Sequence, residues 1–169
     1  MMAHKVKLIV LLIVSLALLG GCSSAVDDES SPYGEGYFVV TLSVRVGALL
    51  DNMHLLDSEK HELVPVDGVI FPATEVRAWY GDSVFDVLHR EMRGAGIHLA
   101  FRNTPFLNSA YVEAINNLYE FDAGELSGWM YMVSGEFPGV GASQYFLSSG
   151  DVIEWVYTLD LGRDVGGYE

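Results

Sequence analysis

Beyond residue 36, helical periodicity occurs once in this chain. Val84, Phe85, Val87, Leu88 and Met92 recur at three- and four-residue spacing as one apolar stripe. Asp82 or Ser83 can cap that helix, Asp86 lies in its first turn and Arg90 and Arg93 in its last, so the charges follow the macrodipole. Gly94 stands where a left-handed C-terminal residue is expected. The remaining apolar runs read as strands. From Tyr37 to Val46, Phe38, Val40, Leu42, Val44 and Val46 share one face and Thr41, Ser43 and Arg45 the other, the period-two mark of a half-buried strand. Val69 to Phe71 and Thr74 to Tyr80 are read as two separate strands, interrupted by Pro72 and Ala73. Residues 97–101, 110–115, 129–134 and 152–157 add four more, divided by Gly, Asn, Pro and Ser clusters, with Ser134-Gly135 as a tight turn. Residues 48–61 form an irregular, partly helical connection. Strands, one principal helix and then more strands indicate an α+β domain, a mixed sheet with the helix packed on one face, for which a β-grasp is the economical plan.

The start of the chain carries a different signal. Cys22 is the sole cysteine and follows Leu19-Gly20-Gly21, with Lys5 and Lys7 ahead of the apolar run from Leu8 to Leu19. A basic start, an apolar stretch and small residues before a thiol describe a bacterial lipoprotein signal peptide over residues 1–21. Acylated at Cys22, the chain is expected at the cell membrane or cell surface, lipid-anchored and facing away from the cytoplasm. An ordinary cleaved signal and an uncleaved anchor are the alternative readings. Residues 22–36 are Ser, Asp, Glu, Gly and Pro with little to bury, a flexible tether, and residues 37–169 form the domain. Once the leader is removed, seven Lys and Arg face 23 acidic residues, a formal charge of −16 that opposes binding to nucleic acid or anionic lipid. With its one thiol acylated, the chain has none for a disulfide or a thiolate metal site, so packing alone must stabilise the fold.

Trp129, Tyr131, Tyr145 and Trp155 form a group of large aromatics on or beside the later strands. Wide ring faces with Asn116, Asn117 and Gln144 nearby could stack on and hydrogen-bond a flat ligand. The competing reading places Trp129 and Tyr131 in the core under the helix and makes Asn116-Asn117 a turn device. Asp160 and Asp164 flank a glycine but lack EF-hand spacing, and a solvated tail is the favoured reading there. His54, His61, His89 and His98 show no paired metal-ligand spacing, so no metal is expected. No Gly-x-Ser-x-Gly elbow, phosphate loop or free thiol is present, and the chain is read as a non-enzyme.

The run Tyr111-Val112-Glu113, Ile115-Asn116-Asn117-Leu118, Ser127-Gly128-Trp129-Met130-Tyr131, then Gly150-Asp151 and Ile153-Glu154-Trp155, resembles the transcobalamin-like C-terminal domain family, which includes many bacterial surface lipoproteins. The resemblance extends from about Phe38 to Tyr157 and includes the Gly81-Asp82-Ser83 helix start. It implies a β-grasp domain that binds without catalysis and needs no resident cofactor, with cobalamin or another corrinoid as ligand, passed to a membrane transporter. Trp129 and Tyr131 would stack on that ligand, with Tyr145 beside them and Asn116, Asn117 and Gln144 making polar contacts. In the animal carriers of the family an aromatic-Trp-Gln run precedes a Ser-Gly turn near the corrin. Here the same register gives Trp129, Met130 and Tyr131. The alternative function is a protein-interaction or envelope-assembly module docking another surface protein.

Overall fold

The alternating run forms strand β1, Tyr37–Arg45, with Phe38, Val40, Leu42 and Val44 buried on one face. In the computed structural model, which describes residues 36–104 and 109–167, β1 is an inner strand of a four-stranded sheet. The expected signal segment 1–21, Cys22 and the tether through residue 35 lie outside the described residues. On one side β1 pairs antiparallel with β2, Val69–Trp79, and on the other parallel with β7, Val152–Thr158. Strand β6, Gly128–Val133, pairs antiparallel with β7, giving the order β2-β1-β7-β6. Three 3-10 turns, Gly47–Leu49, Met53–Leu55 and Ser58–Leu63, carry the chain from β1 to β2.

Two expectations are corrected by this topology. Residues 69–79 make one strand, not two. Leu42 pairs with Thr74 and Val44 with Phe71, so β2 absorbs an extra residue at Pro72-Ala73 as a bulge. The strand lies at the sheet edge, where a proline at a bulge is tolerated. The single mixed sheet is likewise two sheets. Strands β3, Leu99–Thr104, β4, Ser109–Ile115, and β5, Leu118–Tyr119, form a second, antiparallel sheet in the order β3-β4-β5. The two-residue β5 is too short to leave a periodic signal. It nevertheless takes the edge of β4 that one continuous sheet would have offered to β6.

Helix α1, Val84–Ala95, starts at Ser83 with a complete capping box. Asp86 N–H donates to Ser83 Oγ at 3.2 Å and Ser83 N–H to Asp86 Oδ2 at 2.9 Å. The left-handed residue at its end is Gly96, φ 69°, not Gly94. Ile97 N–H bonds Met92 O at 2.9 Å and Gly96 N–H bonds Arg93 O at 3.3 Å, a Schellman closure that lets the last turn run past Gly94. Val84, Val87, Leu88 and Met92 face the core, and Phe85 packs on Phe101 of β3 with ring centroids 4.8 Å apart. The helix thus joins both sheets in one core with Leu42, Val44, Ile115, Leu118 and Ile153.

Candidate functional site

Strand β6 has a single strand neighbour, β7, and its other edge looks across to β4 without pairing to it. The gap between the two sheets opens there, and two clefts lie along it, sharing Tyr111, Trp129 and Met130 as lining.

The first cleft, about 200 Å³, owes its floor to strand alternation. Trp129 and Tyr131 project from one face of β6, opposite Tyr157 and Trp155 of β7 in the ladder. The Trp129–Tyr157 centroids are 5.2 Å apart in an edge-to-face arrangement, and the Tyr131–Trp155 centroids 5.4 Å. The polar tips of these rings are treated differently. Trp129 Nε1 donates to Leu118 O at 2.8 Å, Tyr131 Oη to Val140 O at 2.7 Å and Tyr157 Oη to Tyr119 O at 2.7 Å. Trp155 Nε1 is enclosed with no hydrogen-bond partner among the described residues, although Trp155 is only 3% exposed. Buried polar groups are nearly always satisfied, and this donor, enclosed rather than open to the cleft, is an exception among the described residues.

Phe137, Pro138, Val140 and Gly141 wall the cleft opposite the sheet. The loop that carries them is pinned at several points. Phe85 N–H, one of the free donors at the start of α1, bonds Ala142 O at 3.1 Å, and Val84 N–H bonds Tyr145 O at 3.0 Å. Ala110 N–H donates to Ser143 Oγ at 3.1 Å while Ser143 N–H donates to Ser109 Oγ at 3.3 Å. The glycine at 141 is required by space: a Cβ there would lie 2.2 Å from Ser109 Oγ.

At the rim, Tyr111 Oη donates to Glu120, and Arg102 lies over the Tyr111 ring at 4.4 Å while bonding Glu113 and, at 3.2 Å, Glu120. Burial first, then the bond to Glu120, pushes the Tyr111 phenol up to about 12. Burial also raises Tyr131 to about 12, with Tyr145 adding to the shift. Both phenols stay neutral near pH 7 and spend their one proton on Glu120 and on Val140 O, so toward the cleft they offer ring faces. The cleft is equipped to stack on a flat body.

The residues expected at a site are only partly brought together. Trp129 and Tyr131 line the first cleft, with Trp129 just 9% exposed. Tyr145 packs half-buried against the core. Asn116 and Asn117, φ 54° and 61°, form the turn between β4 and β5, where Asn116 Nδ2 donates to Leu63 O at 3.0 Å. Neither lines a cleft, and nor does Gln144, which is exposed. Sequence reasoning missed Tyr111, Met130, Phe137 and Val140. An aromatic at the outward position of an alternating strand was the available signal for Tyr111.

The second cleft, about 640 Å³, lies between the loop after β5 and the loop after β7. Asp160 and Asp164 sit in the latter, which is folded rather than a solvated tail. The Asp164 carboxylate accepts from Thr158 Oγ1, from Leu159 N–H at 2.8 Å and from Asp160 N–H at 3.3 Å, and Asp160 Oδ1 pairs with Arg163 Nη1 at 2.8 Å. Among the described residues no group of three or more His, Cys, Asp or Glu side chains converges.

A family profile described as "Domain of unknown function (DUF4430)" matches residues 81–158, α1 through β7 and just under half of the chain. Haptocorrin, in the crystal structure of its complex with Cbi, is similar at a TM-score of 0.56 and 18% identity over 82% of this chain. The match takes in 29% of the haptocorrin chain, so this chain corresponds to a part of that protein. A candidate metal binding protein from Ruminococcus gnavus is similar over 72% of this chain and 96% of its own length, with 12% identity and a TM-score of 0.43. No curated protein matches the sequence. What the haptocorrin likeness shows is a shared fold, the transcobalamin-like arrangement of two sheets and one helix.

Proposed function

We propose that this chain is a lipid-anchored, non-enzymatic binding module that holds a flat small molecule in the cleft beside β6, with a corrinoid as the specific candidate. The observation that carries the reading is the conjunction of a haptocorrin-like fold with an aromatic cleft beside the edge strand β6. Trp129 and Tyr131 supply ring faces at the floor, and Tyr111 closes the rim. Acylation at Cys22 would keep the module at the membrane, where it could pass its ligand to a transporter.

Every core residue falls between Phe38 and Leu159, so the segment Ser23–Glu169 retains the whole core and suits a binding assay. Titration with cobalamin and with cobinamide, followed by tryptophan fluorescence and by the corrin absorption band, should show saturable binding that Tyr131→Ala weakens. Failure of both ligands on both signals would overturn the corrinoid reading and leave the unpaired edge of β6 as a surface for a protein partner.

A further inference from the structure

The second cleft carries its own evidence, independent of the corrinoid reading. Among the described residues five non-glycine positions have positive φ: Asn116, Asn117, Phe121, Ser134 and Leu161. Three are turn chemistry, since Asn116-Asn117 turns β4 into β5 and Ser134 precedes Gly135 in the turn after β6. Phe121, φ 69°, and Leu161, φ 49°, also sit in turns, closed by Asp122 N–H to Tyr119 O at 3.3 Å and by Arg163 N–H to Asp160 O at 3.0 Å, but they carry bulky side chains. Bulky side chains pay a steric penalty in this region that glycine would avoid, and such strain gathers at ligand clamps. Neither residue gains burial in exchange. Phe121 is 59% exposed and Leu161 50%, and both line the same cleft, facing it from opposite loops.

The two loops are braced in this arrangement. Leu161 N–H bonds Leu126 O at 3.0 Å and Phe121 N–H bonds Ser127 O at 3.0 Å, so each strained residue is tied to the segment that carries Leu126 on the rim. The polar lining is already committed: Thr158 Oγ1 accepts from Gly162 N–H at 2.7 Å and donates to Asp164, and Ser127 Oγ bonds Gly124 O at 2.8 Å. Arg163 is the one charged residue in the lining. Its side-chain partner, Asp160, is exposed, and an exposed pair of this type is weak and readily exchanged for another anion. A guanidinium has five donors, of which Asp160 takes one. The remaining donors of Arg163 stand at the mouth of an apolar cleft and fit an acidic group there.

From this geometry we infer a second binding site, for a small amphipathic anion: a flat apolar body seated among Phe121, Leu126, Leu161 and Trp129, with its carboxylate or sulfonate on Arg163. The test uses anilinonaphthalene sulfonate and its uncharged relative N-phenylnaphthylamine as fluorescent probes of Ser23–Glu169. Both should bind the folded protein. Arg163→Gln should weaken the sulfonate about tenfold, the factor of one charge-assisted hydrogen bond, and leave the uncharged probe within about twofold. Leu161→Gly should weaken both probes while leaving the thermal midpoint unchanged or higher, because the substitution removes an exposed side chain and relieves a left-handed φ. Leu126→Ala, on the same rim, should act in the same direction as Leu161→Gly. Absence of probe binding, or binding indifferent to all three substitutions, would overturn the site. Because cobinamide is assigned to the other cleft, loss of probe binding with corrinoid binding intact, or the reverse, separates the two proposals.

Discussion

Trp129 and Trp155 stand on adjacent strands, both nearly buried, both packed on a tyrosine ring, and they differ in one bond. That makes Trp→Phe at the two positions a near-controlled comparison. Each substitution removes the same atoms from a packed environment and keeps an aromatic ring for its partner, so the packing losses are similar. At Trp129 the substitution also breaks the 2.8 Å bond to the carbonyl of the fully buried Leu118, which costs about 1–3 kcal/mol. At Trp155 it removes a donor enclosed without a partner, and with it a desolvation penalty of about 1–3 kcal/mol. Trp129→Phe should therefore be less stable than Trp155→Phe by about 2 kcal/mol or more, some 8 °C in midpoint for a domain of this size. Urea and thermal unfolding followed by circular dichroism would measure the gap, with equal m-values confirming that the comparison is of folded states. If Trp155→Phe proved as destabilising as Trp129→Phe, Trp155 Nε1 would be bonded in the protein, and the reasoning from its missing bond would fail.

Ser83→Ala should lower stability by about 1 kcal/mol through loss of the capping box, read as a shift in urea midpoint at constant m. Gly141→Ala forces a Cβ onto Ser109 Oγ and should cost about 1–3 kcal/mol while weakening binding in the first cleft, because Gly141 is part of its wall. In alkaline titration followed by ultraviolet difference absorbance, Tyr111→Phe and Tyr131→Phe should each remove a phenol titrating near 12. Since the folded phenols hold their protons more tightly than unfolded ones, their stabilising contribution is complete below about pH 10 and declines as pH rises toward 12.

How much of this was legible in the sequence depends on the range of the interaction that decides each feature. Periodicity located β1, α1, β4, β6 and β7 to within a residue or two, since a buried face must recur at the period of its own backbone. The Pro72 interruption misled because its outcome turns on where the strand sits: at an edge, a bulge absorbs what would have ended an inner strand. The site was harder still. Trp129 and Tyr131 share a face by simple alternation, but that face meets Phe137 and Val140 only through bonds tying their loop to α1 and Ser109, and no local pattern encodes such a meeting. Asn116 and Asn117 look the same in sequence whether they serve a turn or a ligand. Their positive φ values and the Ile115–Leu118 pairing around them show the turn.

The division of one expected sheet into two is also what makes binding feasible. If β4 paired with β6, a ladder of backbone bonds would fill the space between Tyr111 and Met130, and the strands would meet at the usual spacing of about 5 Å. With β5 paired to Ala114 and Ile115 of β4, and β4 and β6 left unpaired, Tyr111 and Met130 instead line two clefts that share Trp129. The hairpin turn at Asn116-Asn117 that creates β5 thus governs the site without lining it. Its left-handed residues keep β5 against β4, and β5 in turn presents the Leu118 carbonyl to Trp129 and the Tyr119 carbonyl to Tyr157. Trp129, which lines both clefts, and Tyr157 beside it are thus oriented by a two-residue strand, so changes in that turn should alter both clefts together even though they touch neither.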